Sequence, residues 1–257
     1  MEKELQKQID EKLSKTDKKF SVFDFDNTCI ANDIAEATLN FMAKKNLFRD
    51  KSLLPGLNGL SPEEISQKIF IYYYDLLAMG DVKGAYEFNS KILSGYKLSE
   101  IAALVNDVFA DEGEEIGSAE LFKRKIAKGL APRPRIVNLL NYLQEQGIAV
   151  WIVSASPAVL VREAMKRLGI TAKLIGIRNR FNGETITNEL EHPLSIIDGK
   201  VDCIKLFIDP EIRPLLGVGD SGNDLPMLEY SELKVVVNRH NSLSNKAKDA
   251  GWTLLEA

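Results

Sequence analysis

The chain has 257 residues, of which 45% are hydrophobic, and its 33 Lys and Arg against 37 Asp and Glu leave a net charge of −4. This composition is typical of a globular protein with one sizeable domain or a core domain carrying a smaller one. The chain has no stretch of ~18 uncharged apolar residues, no apolar signal-peptide core and no basic block, so we expect neither a membrane nor a nucleic acid as partner. Its two cysteines, Cys29 and Cys203, are too few for a disulfide scaffold or a zinc site, and a cytoplasmic location fits best.

The first element predicted is an N-terminal helix over residues 1–19. Leu5, Ile9 and Leu13 recur at helical spacing among interleaved acids and bases. This narrow apolar stripe indicates a helix that docks on a surface, and no function is attached to it.

Short apolar runs with aromatic and β-branched residues then predict buried strands. The first begins at Phe20 and meets a polar segment at Asp26–Thr28, and further runs lie at residues 148–155, 173–177, 214–219 and 233–237.

Helical patterns separate these strands. Residues 133–147 carry apolar positions on one side, and residues 157–169 repeat the design, with Ser156 as candidate N-cap and Pro157 at the first helical position. The alternation predicts an α/β fold, with a parallel sheet and helices on both faces, over residues 20–32 and 133–257. The hundred residues between, 33–132, have helical spacing and predict an all-helical insertion after the first strand.

Polar residues follow three of the predicted strands. Ligands bind at the carboxyl ends of strands in open parallel sheets, so these positions are candidates for chemistry. They are Asp24, Asp26 and Thr28 after the first strand, Ser154 after the second, and Asp220, Asn223 and Asp224 after the strand at 214–219. Three converging acids repel one another unless a divalent cation lies among them, and Mg²⁺ prefers such oxygen ligands. A hydroxyl at Ser154, helix N–H groups and an ammonium at Lys200, with Lys205 as its competitor, suit a phosphoryl oxyanion.

These residues resemble the four motifs of the haloacid dehalogenase superfamily phosphatases. The matching strings are DFDNT at Asp24–Thr28, Ser154 after its strand, Lys200, and GDSGND at Gly219–Asp224. Their order and the long helical insert resemble the branch that contains phosphoserine phosphatase and phosphocholine or phosphoethanolamine phosphatases. The resemblance implies a Rossmann-like core, a cap formed by residues 33–132, and Mg²⁺-dependent hydrolysis of a small-molecule phosphate monoester.

The resemblance also implies a role for each matching residue. Asp24 would be the nucleophile and Asp26 the general acid and base, and both would join Asp220 as metal ligands, Asp26 through its backbone carbonyl. The substrate-binding residues would be Thr28, Asp33, Ser154, Ala155, Lys200 and Asn223, with Asp224 in a supporting position.

The residues of the cap indicate which leaving group the substrate carries. It has no arginine between Arg49 and Arg124 to grip a substrate carboxylate, whereas Asp33 stands where the phosphoserine branch places an acid for the substrate ammonium. Five of the seven tyrosines also lie in the cap, and tyrosine faces suit a quaternary ammonium. We therefore expect phosphocholine or phosphoethanolamine as substrate, with phosphoserine as the alternative. A phospho-acceptor or ligand-binding module without turnover is the alternative from another class.

Overall fold

The computed structural model describes residues 3–14 and 20–256. The helices of this part are α1 (Lys3–Leu13), α2 (Ile34–Lys45), α3 (Pro62–Ala78), α4 (Val82–Lys91), α5 (Ile101–Glu112), α6 (Pro134–Glu145), α7 (Ala158–Leu168), α8 (Asp198–Phe207), α9 (Leu225–Tyr230) and α10 (Ser242–Asp249). The strands are β1 (Phe20–Phe23), β2 (Ile30–Ala31), β3 (Gly117–Leu121), β4 (Arg124–Lys128), β5 (Ala131–Pro132), β6 (Ala149–Pro157), β7 (Lys173–Asn182), β8 (Thr185–Glu191), β9 (Leu216–Gly219), β10 (Leu233–Asn238) and β11 (Thr253–Glu256).

A seven-stranded sheet forms the centre of the molecule, in the order β11-β10-β9-β1-β6-β7-β8. All neighbours pair in parallel except β7 and β8. The four residues of β1 are buried, because this strand lies between β9 and β6. The carboxyl ends of β1, β6 and β9 therefore meet at the middle of one edge of the sheet.

Helices cover both faces of this sheet, as the sequence predicts. Val22 packs in an apolar cluster with residues of α8 and α9, while Phe23 belongs to a cluster that includes α6 and α7. Successive residues of β1 thus point to opposite layers, as expected for a strand buried on both faces. The α/β fold class is confirmed.

The predicted N-terminal helix corresponds to α1 within the described residues. Its Leu5 and Ile9 are buried in the same cluster as α6, and Leu13 packs partly against that cluster. Residues 1, 2 and 15–19 of the predicted helix lie outside the described residues. No helix among the described residues is both long and apolar enough to cross a membrane.

The cap, residues 33–132, joins the core through two connections that pair with each other. Strand β2, just before the insert, pairs antiparallel with β5 at the end of the insert, with Ile30 opposite Pro132. Between them lie α2 to α5, and the expectation of an all-helical insert is wrong in one respect. Residues 117–128 form the antiparallel hairpin of β3 and β4. Its turn residues Phe122 and Lys123 have positive φ angles of 47° and 63°. Hairpin turns of this kind usually contain Asn-Gly, and because this turn does not, the sequence gave no indication of a hairpin.

A second attachment of the cap to the core is made by the hairpin of β7 and β8. Main-chain hydrogen bonds run from Gly95 N to Ile186 O and from Ile186 N back to Tyr96 O, at 2.9 and 2.8 Å. The side-chain amide of Asn179 in β7 donates to Ser90 O of the cap at 2.7 Å. These bonds hold α4 beside the carboxyl edge of the sheet.

Candidate active site

A cavity of about 100 Å³ lies at the carboxyl edge of the sheet, between core and cap. Eight of the predicted site residues line it: Asp24, Asp26, Asp33, Ala155, Lys200, Asp220, Asn223 and Asp224. The other two, Thr28 and Ser154, are fully buried behind it and contact Asp220 and Asp26. Five further residues line the cavity and were not predicted: Asn27, Tyr86, Ser156, Ser221 and Arg239.

Lys200 is the cation at the centre of the site. Its Nζ atom donates to Asp24 Oδ1 at 2.7 Å and to Asp224 Oδ1 at 2.6 Å, and the side chain is 1% exposed. Burial alone would lower the pKa of this ammonium, but the charges of Asp224 and Asp24 raise it. Lys205, the competing lysine, lies over the ring of Tyr230 instead. Lys200 is therefore a permanently charged partner for the two carboxylates.

Asp24 follows directly on β1. Its backbone N–H donates to Val218 O of β9 at 2.9 Å, which extends the ladder by one residue and fixes the carboxylate at the sheet edge. Burial raises the pKa of Asp24 well above its usual range, repulsion from Asp224 adds to this, and Lys200 acts in the opposite direction. Ionised Asp24 thus depends on Lys200 and on any further cation at the site.

Asp26 is held by three donors. The backbone N–H of Ile34 donates to Oδ1 at 2.8 Å, while the hydroxyls of Ser156 and Ser154 donate to Oδ2 at 2.7 and 3.2 Å. Burial, followed by repulsion from Asp33, raises the pKa of this carboxyl well above its usual range despite these bonds. A carboxyl whose pKa is raised by burial suits a general acid and base.

The contact of Ser156 with Asp26 corrects its expected role as a helix cap. Strand β6 continues to Pro157, and α7 begins at Ala158 with no side-chain cap. Strand β6 is longer than predicted, and its pairing with β7 is irregular between Val153 and Pro157. Within this segment the hydroxyls of Ser154 and Ser156 both face the carboxylate of Asp26.

Asp220, which follows β9, is hydrogen-bonded to residues that follow β1 and β10. Arg239 Nη1 donates to Asp220 Oδ2 at 2.7 Å, Thr28 Oγ1 donates to Oδ1 at 3.3 Å, and the Asn241 amide donates to the main-chain carbonyl of Asp220. Burial and the charge of Asp224 raise the pKa of Asp220 to about 6, and Arg239 acts against this shift. Among the described residues, Arg239 is the one arginine that lines the cavity.

A metal-sized group of carboxylates is formed by Asp24, Asp220 and Asp224. One oxygen of each lies within 4.8 Å of the others, and all three residues are buried. The predicted ligand set contained Asp26 rather than Asp224, but only through its backbone carbonyl, and the Asp26 side chain is held by two serine hydroxyls. Clustered carboxylate oxygens are the donor set that a hard divalent cation requires, so the residues fit such an ion.

Asp33 caps α2 and lines the cavity. Its Oδ1 atom accepts the backbone N–H groups of Ala35 and Glu36 at 2.8 and 2.9 Å. Burial and the charge of Glu36 raise the pKa of Asp33 to about 7. Glu36 in turn accepts the hydroxyls of Tyr73 and Tyr74. Among the described residues, neither Asp33 nor Glu36 forms an ion pair with a basic side chain.

Several aromatic and basic residues of the cap that the sequence analysis considered do not line the cavity. Tyr72 is 41% exposed, so it is the member of the 72–74 run that points to solvent. Arg49 pairs with Glu100 and Arg124 with Asp75. The cap tyrosine at the cavity is Tyr86, whose hydroxyl accepts the side-chain amide of Asn223 at 3.1 Å.

The site thus combines an acidic edge of a parallel sheet with a buried lysine and a covering insert. A family model described as haloacid dehalogenase-like hydrolase matches residues 21–229. The chain belongs to this family.

Three of the curated proteins that the chain is similar to are phosphatases by name. The chain is 30% identical over 213 residues to phosphorylcholine phosphatase of Pseudomonas aeruginosa, a match that covers 77% of this chain and 59% of that protein. It is 24% identical to histidinol-phosphatase of Neisseria meningitidis serogroup C, covering 93% and 98% of the two chains. It is 24% identical to a phosphoserine phosphatase of Mycobacterium tuberculosis, covering 90% and 68%.

Solved structures show the same fold. A functionally unknown protein from Anaerococcus prevotii superposes with a TM-score of 0.73 at 23% identity, covering 98% of this chain and 91% of that one. A substrate-bound phosphoserine phosphatase superposes with a TM-score of 0.58 at 14% identity, covering 95% of each.

Gly219 at the end of β9 provides a test of the packing behind the acids. A Cβ atom there would lie 2.5 Å from the Cβ of Asp224, whereas one at Gly222 would meet nothing within 4 Å. Gly219→Ala must displace Asp224, so we expect it to lower the free energy of unfolding by about 1–3 kcal/mol and the hydrolysis of p-nitrophenyl phosphate by at least about tenfold. Gly222→Ala is the matched control, and equal behaviour of the two variants in urea unfolding and turnover would contradict the packing.

Asp33 gives a pH-dependent prediction. With its pKa raised to about 7, the folded chain keeps a proton that the unfolded chain releases near its ordinary pKa, so folding becomes less favourable as the pH rises between these values. Asp33→Asn keeps the capping oxygen and removes the charge. We expect its melting temperature to exceed that of the wild type at about pH 8 and to equal it at about pH 4, in EDTA.

Asp81→Asn, at the exposed N-cap of α4, is the control for the change from Asp to Asn. A melting-temperature difference for Asp33→Asn that does not vary with pH would show that the Asp33 charge carries no cost.

Proposed function

We propose that the chain is a Mg²⁺-dependent phosphomonoesterase that acts through an aspartyl-phosphate on Asp24. The observation that carries the proposal is the pairing of two differently held carboxylates at one cavity. Asp24 is bonded to the Lys200 ammonium, and Asp26 is buried among hydroxyl and N–H donors. A carboxylate paired with a fixed ammonium suits the nucleophile, and a carboxyl whose pKa burial raises suits the general acid and base.

The reaction assigned to this pair has two steps. The Asp24 carboxylate attacks phosphorus, the ester P–O bond breaks, and Asp26 gives its proton to the departing alkoxide. Asp26 then takes a proton from the water that attacks the aspartyl-phosphate, which releases phosphate and restores Asp24. Lys200, which lines the cavity, remains assigned to the phosphoryl oxygens, whereas the buried hydroxyls of Thr28 and Ser154 donate to Asp220 and Asp26 and act through these carboxylates.

The Mg²⁺ ion is assigned to the carboxylates of Asp24 and Asp220 and the main-chain carbonyl of Asp26, with Asp224 in support. When bound, it would neutralise phosphoryl charge and orient the ester. The donor set supports this assignment, because Lys200 and Arg239 are the only basic side chains of the described residues paired with these buried acids.

The leaving group is proposed to carry a cationic nitrogen, with phosphocholine or phosphoethanolamine preferred. Asp33 lines the cavity with both of its capping bonds on Oδ1, so Oδ2 remains for an ammonium. The named relatives support this class, since choline, serine and histidinol all bear a cationic nitrogen.

Phosphoserine is the second candidate, favoured by the presence of Arg239 at the cavity. This guanidinium already pairs with Asp220, so a substrate carboxylate would have to compete with it. For this reason we rank phosphoserine below the esters that lack a carboxylate. A phospho-acceptor without turnover is disfavoured by the acid assigned at Asp26, and a long-lived phosphoprotein formed with acetyl phosphate would instead support it.

A cytoplasmic location is part of the proposal. Both cysteines of the chain, Cys29 and Cys203, are buried free thiols, which suits a reducing compartment.

The catalytic assignment predicts two different losses. Asp24→Asn removes the nucleophile and should abolish turnover, while Asp26→Asn should lower it about 10²–10⁴-fold. The loss in Asp26→Asn should be smaller for p-nitrophenyl phosphate, because nitrophenolate leaves without a proton. Steady-state phosphate release measures both, with the exposed Asp107→Asn as control, and near wild-type turnover in Asp24→Asn would refute the assignment.

Chelation tests the metal in the same assay. EDTA should stop phosphate release, and added Mg²⁺ should restore it, because three carboxylates within 4.8 Å need a cation to accept a phosphate dianion. Unchanged turnover after exhaustive chelation would exclude the metal assignment.

The leaving-group assignment predicts an order of substrates. The kcat/KM for phosphocholine or phosphoethanolamine should exceed that for phosphoserine and for glycerol phosphate, the neutral control. Asp33→Asn should reduce kcat/KM about tenfold for the amine esters and leave glycerol phosphate within about twofold. Phosphoserine as best substrate, or an equal loss on glycerol phosphate, would overturn the leaving-group assignment and leave the catalytic one intact.

A further inference from the structure

Tyr86 connects the cap to the core at the cavity. It belongs to α4, and the other elements of the cap contribute only Asp33 to the described cavity lining. Its ring packs against a core cluster of Ile177, Leu194 and Ile196. Burial, followed by the charge of Asp33, raises the pKa of the Tyr86 hydroxyl, which therefore stays a hydrogen-bond donor.

The hydroxyl of Tyr86 has an unused proton. It accepts the side-chain amide of Asn223 at 3.1 Å, and within residues 20–256 it donates no hydrogen bond. Several of the surrounding carboxylate oxygens are engaged by Lys200, serine hydroxyls or main-chain N–H groups, and the free Oδ2 of Asp33 is assigned above to the leaving group's ammonium. Because the Tyr86 hydroxyl borders the cavity, an oxygen bound inside the cavity can accept its proton.

The bond to Asn223 also orients that side chain. With its amide nitrogen on Tyr86, Asn223 is held at the mouth of the turn that carries Asp220 and Asp224. A cap residue thereby sets the position of a residue of the fourth motif.

We propose that Tyr86 is a substrate-positioning residue. Its hydroxyl holds the Asn223 amide and donates its own proton to a phosphoryl oxygen. Its ring forms the part of the cavity wall that the leaving group contacts. This inference rests on the proposed phosphatase function. It assigns to the cap a direct contact with the phosphate and, through the ring, a part in the choice of leaving group.

Two substitutions separate the hydroxyl from the ring. Tyr86→Phe keeps the packing on Ile177, Leu194 and Ile196 and removes the hydroxyl. We expect it to weaken binding of inorganic phosphate, measured by calorimetry with Mg²⁺, about three- to tenfold, and to lower kcat/KM by a similar factor for every ester alike. Tyr86→Leu should in addition lower the ratio of kcat/KM for phosphocholine to that for glycerol phosphate about threefold or more.

Tyr96→Phe is the matched control, because Tyr96 is another buried cap tyrosine whose hydroxyl bonds to Leu47 O away from the cavity. It should leave phosphate binding and substrate ratios unchanged, whatever it does to the melting temperature. Phosphate binding and kcat/KM within twofold of wild type in Tyr86→Phe would overturn the hydroxyl contact. An unchanged substrate ratio in Tyr86→Leu would overturn the role of the ring.

The calorimetric arm distinguishes the two proposals. If the wild type binds phosphate but turns over no ester, the proposed function fails and Tyr86→Phe still tests the contact. If the wild type turns over esters and Tyr86→Phe binds phosphate normally, the contact fails alone. A wild type that binds no phosphate with Mg²⁺ overturns both.

Discussion

Four carboxylates buried at one edge of a sheet are the constraint on which this molecule depends. Asp24, Asp26, Asp220 and Asp224 are each less than 9% exposed. Ionised groups in such a place cost several kcal/mol each unless they are paired and hydrogen-bonded. Lys200 meets this need on one side, and it must itself be buried to do so. The loss of either partner would leave an uncompensated charge in the interior, which ties the catalytic chemistry to the stability of the core.

The arrangement of strands follows from the same constraint. β1 lies between β6 and β9, so that the hydroxyls of Ser154 and Ser156 reach Asp26 from one side and Asp220 approaches from the other. Main-chain donors at the end of β9 hold Asp224, whose Oδ2 accepts the N–H of Asp220 at 3.0 Å. Hydroxyls of β6 hold Asp26, main-chain N–H groups after β9 hold Asp224, and Lys200 of α8 is shared by Asp24 and Asp224. This division explains why the motifs lie far apart along the chain.

Most of the core and eight of the lining residues could be predicted from the sequence, because buried parallel strands are continuous apolar runs and their polar ends must converge. The lining residues that were not predicted are placed at the site by tertiary structure, which a local sequence pattern does not show. Ser156 lies in a strand that continues beyond its apolar run, and Tyr86 is one of several cap tyrosines, selected by the packing of α4 on the core. Arg239 had a usable signal, since it follows the apolar strand at 233–237, next to β9. The hairpin of β3 and β4 had none, because its turn lacks glycine and asparagine.

The cap side of the cavity carries acidic groups without a basic partner among the described residues, and in the proposed function these groups determine which leaving group is accepted. Asp33 and Glu36 bring two carboxylates to the start of α2, with N–H and tyrosine hydroxyl donors but, among the described residues, no cation. A neutral alcohol entering the cavity leaves this repulsion in place, and a carboxylate increases it. An ammonium group would offset the repulsion between the two carboxylates. Its binding would therefore be favoured by the loss of this repulsion as well as by new contacts. In the proposed function, the unpaired carboxylates of the cap disfavour an anionic leaving group, while the residues of the core are common to every phosphate ester that enters.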